Sequence, residues 1–111
     1  MENEIKTWLI DIQQAMSEIK QFLPETKNFI DFKKDLKTRR AIERNIEIIG
    51  EAVNRILSAN PNIQISSARK IVDTRNRIIH GYDSVSEDII WAIVIRYLPP
   101  LEKEIADLLK Q

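Results

Sequence analysis

The chain has 111 residues, of which 43% are hydrophobic and 31% charged, so residues 1–111 suffice for one domain with an apolar core. With no cysteine and a single histidine, the composition excludes disulfides, zinc–thiolate sites, thiol nucleophiles and a multi-histidine metal site within one chain. Its 17 basic and 17 acidic residues balance, and neither a secretory signal nor an apolar run of ~20 residues is present, so we expect a soluble, cytoplasmic protein without a membrane span.

Apolar residues recur at spacings of three and four along most of the chain, the pattern of amphipathic helices. A first helix is predicted over residues 5–23, where Pro24 interrupts it. A connector follows. The next long helix is predicted to begin with Thr38 as its N-cap and to end at the Asn-Pro pair 60–61.

A serine at position 66 or 67 is the predicted cap of a third helix, and Gly81 is well placed just past its end. A fourth helix is predicted to begin near Ser86 and to be kinked or broken by the proline pair 99–100. No sustained alternation typical of strands occurs. The sequence therefore predicts an all-α, up-and-down bundle of four main helices with a short C-terminal helix after the proline kink.

The balanced net charge hides two basic segments between acidic ends. Residues 33–44 carry a net charge of +4 and residues 67–82 a net charge of +3, whereas 1–32 and 83–111 each carry −3. Together the two basic segments could form one positive patch suited to nucleic acid. Solvated helix faces explain such runs more simply, and composition alone favours that interpretation.

The apolar stripe of the third helix is interrupted by Arg75, so a semi-buried guanidinium is predicted, which is costly unless an anion or acceptor pairs with it. The histidine, His80, follows five residues later, with Asp73 and Asn76 along the same side of the helix and Tyr82 just beyond. This stretch gathers an anion clamp, an amide, a titratable base and a phenol within a few residues.

Each of these residues also has a purely structural interpretation. His80 could complement the helix dipole, Tyr82 could pack, and Arg75 could snorkel or pair with Glu51. Their coincidence favours phosphodiester chemistry on RNA, because histidine moves protons near neutral pH and arginine stabilises charge on the transition state. RNA supplies its own nucleophile, the 2′-hydroxyl, so this chemistry requires no metal and no cofactor.

The spacing Arg75-x4-His80-x-Tyr82 resembles the R-x4-H-x-Y signature of HepT-like toxins, a branch of the HEPN superfamily of helical ribonucleases. Residues 41–52 (AIERNIEIIGEA) are similar to the second-helix block of that family, and residues 75–82 (RNRIIHGY) to its active-site block. Trp91 and the Leu-Pro pair 98–99 are similar to its fourth helix, so the resemblance covers about residues 8–109. A departure lies at 66–70, where many relatives are expected to carry a Pro-Trp pair.

The resemblance implies a HEPN fold and a homodimeric, metal-independent endoribonuclease toxin with Arg75 and His80 as the catalytic pair. It would also make Asn76 a supporting residue and transfer RNA the substrate. Asp73 and Arg77 are further supporting candidates from their place on the helix and their charge, and attack by the 2′-hydroxyl predicts a 2′,3′-cyclic phosphate end. The resemblance also implies an MntA-like nucleotidyltransferase antitoxin, which would silence the toxin by attaching AMP to Tyr82. An alternative is a non-catalytic helical dimer that serves as binding partner and modification target of that nucleotidyltransferase. RNA cleavage in EDTA discriminates the two.

Helix geometry also favours a dimer. Residues five apart in a helix point about 140° apart, so Arg75 and His80 of one chain do not easily converge on one phosphate. A two-fold interface on this helix would place two copies of each residue around one cleft.

Overall fold

A computed structural model describes residues 3–23, 28–80 and 86–111 of the chain. In chain order the elements are α1 (Asn3–Phe22), α2 (Phe29–Lys34), α3 (Leu36–Ala59), α4 (Ala68–Ile79), α5 (Glu87–Ala92), a π-helical segment (Ile93–Tyr97) and α6 (Leu98–Leu109). No strand occurs in these ranges, and the predicted all-α, HEPN-type bundle is confirmed. The predicted roles of Pro24, Gly81 and Tyr82 fall on positions outside the described residues.

The core of the bundle forms where α1 and α3 pack along each other, with α4 against α3 and α6 against α1. Each long helix buries one stripe because its apolar residues recur every three or four positions. Truncating one of these side chains to alanine costs roughly 2–5 kcal/mol. The largest fully buried side chains are Leu9, Ile12, Ile42, Ile46, Ile49, Val53, Ile56, Ile71, Ile90, Ile93, Leu101 and Ile105.

Different helix termini meet at the two ends of the bundle. Ile5, Asn60 and Leu108 line one groove, so the start of α1 and the ends of α3 and α6 share an end. At the other end, Arg39 Nη1 near the start of α3 donates a hydrogen bond to Glu87 Oε1 at the start of α5 (3.0 Å). Because α4 returns along α3 after a short connector, its C-terminus also points toward this second end, which we call the Arg39 end.

Asp35 is the N-cap of α3, and the prediction of Thr38 as that cap is wrong. Asp35 Oδ1 accepts a hydrogen bond from the Thr38 backbone N–H (3.0 Å), and Oδ2 accepts one from the Thr38 hydroxyl (2.6 Å). The hydroxyl bond, the N–H bond and the charge of Lys37 lower the pKa of Asp35 below its ordinary value, against a smaller opposing effect of burial. Thr38 thus donates both hydrogen bonds of the cap, and Asp35, three positions earlier, accepts them. The expected connector contains the short helix α2, capped by Asn28.

The chain entering α4 is anchored by α6. Ser67 occupies the predicted cap position, but its backbone is in the left-handed region (φ 61°) and its side chain makes no capping bond. That conformation is strained for a residue with a side chain. The preceding residue, Ser66, donates its backbone N–H to Glu104 Oε2 (3.0 Å) and its hydroxyl to Glu104 Oε1 (2.8 Å). The carboxylate of α6 therefore fixes the connector immediately before α4.

The proline pair does not divide the last helix into separate pieces. Helix α5 continues through the π-helical segment into α6, whose first turn contains Pro99 and Pro100. A proline inside an α-helix lacks the N–H donor and clashes with the carbonyl four residues earlier. Here the Leu98 N–H donates to the Ile93 carbonyl, five residues back, so the turn before the prolines is wider. The interruption predicted at the prolines is therefore a π-helical segment directly before α6.

Candidate active site

Arg75 lies among buried and half-buried residues of α4. Ile71 and Thr74 are buried, Val72 and Ile78 are half-buried, and Arg75 is half-buried among them, which confirms the semi-buried position predicted from the stripe. The Thr74 hydroxyl donates a hydrogen bond to the Lys70 carbonyl within the helix (2.8 Å), so this buried polar group is satisfied. Packing of α4 therefore limits how far the arginine can move.

Gly50 on α3 provides the space that Arg75 occupies. A Cβ atom at position 50 would lie 2.4 Å from Arg75 Cβ, 2.8 Å from Arg75 Cγ and 3.3 Å from the Ile71 carbonyl oxygen. Carbon atoms in favourable contact lie about 3.5–4.0 Å apart, so α4 can approach α3 this closely only against a glycine. Sequence reasoning gave Gly50 no role of its own. The available signal was a glycine in the middle of a helical pattern, which costs stability and often marks a close backbone approach.

The guanidinium of Arg75 contacts the side chain of Asn76. Arg75 Nη1 donates a hydrogen bond to Asn76 Oδ1 (2.7 Å). The alternative pairing of Arg75 with Glu51 is wrong, because Glu51 Oε1 accepts from Arg55 Nη2 (2.8 Å). No carboxylate of the described ranges lies within ion-pair distance of Arg75. A guanidinium has five N–H donors, so the single bond to Asn76 leaves capacity for an anion such as a phosphate.

His80 lies at the C-cap of α4 and is exposed. Its backbone N–H donates to the Asn76 carbonyl (3.1 Å), so the residue continues the turn that carries Asn76. It follows Arg75 by five positions, and the two side chains leave the helix about 140° apart. Asp73 and Arg77 on α4 are exposed as well. The structure thus brings Asn76 to Arg75, whereas the five-residue spacing of Arg75 and His80 predicts, from ideal helix geometry, that they project from different sides of α4.

The first basic segment is more neutral in the fold than its composition suggests. Arg39 pairs with Glu87 (3.0 Å), Arg40 with Glu43 (3.1 Å) and Arg44 with Glu47 (2.9 Å). These three arginines are therefore neutralised by glutamates and do not add unpaired positive charge to the expected patch. Surface ion pairs of this kind add little to stability, about 0–1 kcal/mol each, but they cancel much of the local field.

No group of three or more histidine, aspartate or glutamate side chains in the described ranges could hold a metal ion. No helix in those ranges is both long and apolar enough to cross a membrane.

Comparison with known proteins points to one family. The pattern of the HepT-like family, described as "Ribonuclease HepT-like", matches residues 12–108, which include Gly50, Arg75 and His80. No solved structure matches the chain.

Relatives similar to this chain over most of its length carry ribonuclease names. The Methanocaldococcus jannaschii protein "Putative RNase MJ0127" is 32% identical over 111 residues, covering 96% of this chain and 88% of the relative. "Probable ribonuclease HepT" of Thermococcus cleftensis is 33% identical over 114 residues, covering 99% and 100%. "Putative RNase TTE0752" of Caldanaerobacter subterraneus subsp. tengcongensis is 34% identical over 85 residues, covering 76% of each.

Proposed function

The chain belongs to the HepT-like ribonuclease family, and on this basis we propose that it is a metal-independent endoribonuclease and the toxin of a toxin–antitoxin system. The observation that carries the proposal is the setting of Arg75. Its guanidinium is half-buried over Gly50, bonded to Asn76 and unpaired with any carboxylate of the described ranges, five positions before His80. A phosphate is the anion that RNA would bring to such a group.

In the proposed reaction the 2′-hydroxyl of the RNA attacks the adjacent phosphorus. The O2′–P bond forms and the P–O5′ bond breaks, which leaves a 2′,3′-cyclic phosphate and a 5′-hydroxyl. His80 accepts the proton of the 2′-hydroxyl, and the leaving 5′ oxygen takes a proton from solvent. Arg75 stabilises the charge that develops on the non-bridging oxygens.

Three further residues of α4 belong to the proposed site, Asn76 and Arg77 with a proposed role and Asp73 by its position. Asn76 orients the Arg75 guanidinium through the bond already described. Arg77 adds positive charge on the exposed side of α4, where an RNA strand would approach. Asp73 lies on the same helix, exposed, seven positions before His80. Transfer RNA is the proposed substrate on family grounds.

A homodimer is part of the proposal because Arg75 and His80 diverge on one helix. A two-fold axis close to α4 would bring Arg75 of one copy and His80 of the other to the same cleft. Ile79, the last residue of α4, is 48% exposed although it is a large apolar residue, and a second copy would cover it.

The proposed antitoxin is an MntA-like nucleotidyltransferase that modifies Tyr82. The tyrosine oxygen would attack the α-phosphate of ATP, so that an O–P bond forms, pyrophosphate leaves and the phenolic proton passes to solvent. The added phosphodiester places negative charge two residues after His80 and repels an incoming RNA phosphate.

The test is cleavage of RNA by the purified protein in EDTA. We expect cleavage with cyclic phosphate ends, and a rate loss of ~10²–10⁴-fold in His80→Ala and a comparable loss in Arg75→Ala. Arg55→Ala removes the same charge from α3 and breaks only the surface pair with Glu51, so it is the matched control. Mixing Arg75→Ala and His80→Ala chains restores activity if the cleft combines residues of two copies.

Two outcomes would contradict the proposal. Products with 5′-phosphate ends and a metal requirement would rule out the 2′-hydroxyl mechanism. RNA binding without any cleavage, in a protein that the nucleotidyltransferase still modifies, would identify the non-catalytic dimer instead.

A further inference from the structure

Three lysines at the junction of α2 and α3 carry charge that the fold does not neutralise. Lys33, Lys34 and Lys37 are exposed, and none forms an ion pair with a carboxylate of the described ranges. We call these three residues the basic elbow. They differ in this respect from the arginines of the same segment, each of which has a glutamate partner.

The basic elbow lies at the Arg39 end of the bundle. Arg39 Nη1 donates to the Lys33 carbonyl (3.3 Å) as well as to Glu87 Oε1 (3.0 Å). One guanidinium therefore ties the elbow backbone to the start of α5. Because α4 runs back along α3 toward this end, the elbow and the end of α4 occupy the same end of the molecule.

Helix geometry gives the separation between the elbow and the candidate active site. Lys37 precedes Gly50 by 13 positions on α3, which is ~20 Å along the axis. Gly50 lies against Arg75, and His80 is a further ~7.5 Å along α4 toward the same end. Measured along the helix axes, His80 and Lys37 are thus ~12 Å apart. This is the length of roughly three to four stacked nucleotides at ~3.4 Å each.

The position of Lys37 is not one that the helix itself favours. It lies in the first turn of α3, which holds no acidic residue and where the helix dipole disfavours a cation. Asp35, the N-cap two residues earlier, is the nearest carboxylate along the chain, and it does not form an ion pair with Lys37. The exposed ammonium groups of Lys33 and Lys34 make no hydrogen bond to another described residue. Lys33 and Lys34 lie in the last turn of α2, where the helix dipole favours cations, so the described fold leaves only the charge of Lys37 without a structural reason.

We propose that the basic elbow binds the phosphate backbone of the RNA substrate on one side of the scissile phosphate. The inference rests on the proposed ribonuclease function and adds a second RNA contact to it. A backbone contact made by lysines reads charge and not sequence. It would favour RNA long enough to reach from His80 to the α2–α3 junction over short oligonucleotides.

The test measures RNA affinity of the full chain with the active site disabled. In a His80→Ala background, Lys33→Gln/Lys34→Gln/Lys37→Gln is compared with Lys6→Gln/Lys103→Gln/Lys110→Gln, which removes the same charge from exposed lysines of α1 and the C-terminal region. We expect the elbow variant to lower the slope of log K against log salt by about 2, three contacts at ~0.7 each. Between ~50 and ~200 mM salt the parent then loses ~16-fold more affinity than the elbow variant.

In the cleavage-competent chain, the elbow substitutions should raise KM for a long RNA more than for a dinucleotide. Equal affinity and equal salt slopes in the two triple variants would overturn the inference. This holds also if the elbow substitutions weaken binding of a protein partner and leave RNA binding unchanged. Because affinity is measured with cleavage disabled, an unaltered affinity refutes the elbow alone. Absence of cleavage in the parent chain refutes the ribonuclease function alone.

Discussion

Gly50→Ala tests whether the close approach of α3 and α4 positions Arg75. The added Cβ would lie 2.4 Å from Arg75 Cβ, about 1 Å inside ordinary contact, and both atoms belong to or adjoin helix backbone. Neither can rotate away, so α4 must shift outward by about 1 Å or Arg75 must leave its place.

The cost to the fold is modest. Overpacking of this kind costs about 1–3 kcal/mol. Replacing glycine by alanine within a helix returns about 1 kcal/mol. We therefore expect the free energy of unfolding to fall by ~0–2 kcal/mol. The catalytic cost is larger, because a misplacement of ~1 Å can reduce the rate about 10²-fold.

The assay compares the rate of RNA cleavage at saturating RNA with the free energy of unfolding of the same variant. Ala15→Val is the control, since it overpacks a buried position of α1, a helix whose main packing partners are α3 and α6. It should lose comparable stability and keep its cleavage rate. If Gly50→Ala is folded and cleaves RNA as fast as the parent, the glycine does not position Arg75 and the reasoning is refuted.

Two further predictions concern single side chains. Because the pKa of Asp35 is lowered in the folded chain, its carboxylate stabilises the fold above the ordinary aspartate pKa, and this contribution is lost as pH falls through the lowered value. Denaturant unfolding down to pH about 3 should show a shallower acid loss in Asp35→Asn than in the parent or in Asp107→Asn, and identical slopes would contradict this. Tyr82→Phe should cleave RNA yet escape silencing; mass spectrometry after incubation with the nucleotidyltransferase and ATP should then find no AMP, and a modified Phe variant would show that the switch lies elsewhere.

The helices were predictable where periodicity extends over several turns. The stripe of α3, its end at Asn60 and the half-buried place of Arg75 all follow from spacing. Helix α2 escaped detection because six residues contain too few repeats to reveal a period. The cap of α3 was misplaced by three residues because Asp35 and Thr38 are both good capping residues, and only their mutual hydrogen bonds decide which one caps.

The residues proposed for the candidate site come from the sequence, whereas the contacts around them are given only by the structure. Arg75 and His80 stand out in the sequence because each departs from the apolar pattern around it. The partners of Arg75 depend on helix packing, which spacing along one helix does not specify. Glu51 was a reasonable partner by charge, yet it pairs with Arg55 on its own helix, and the contact is made by the neutral neighbour Asn76.

The bond from Ser66 to Glu104 has a consequence for the time at which a newly made chain becomes active. The helix that carries Arg75 enters the fold through a connector fixed by a residue of the last helix. During synthesis the N-terminal parts of a protein emerge first, so α1, α3 and α4 leave the ribosome before Glu104 exists to hold the connector. A nascent or truncated chain that ends before α6 would contain the whole candidate catalytic sequence and still lack this anchor. Translation itself would then delay the proposed activity until the turns of α6 are complete.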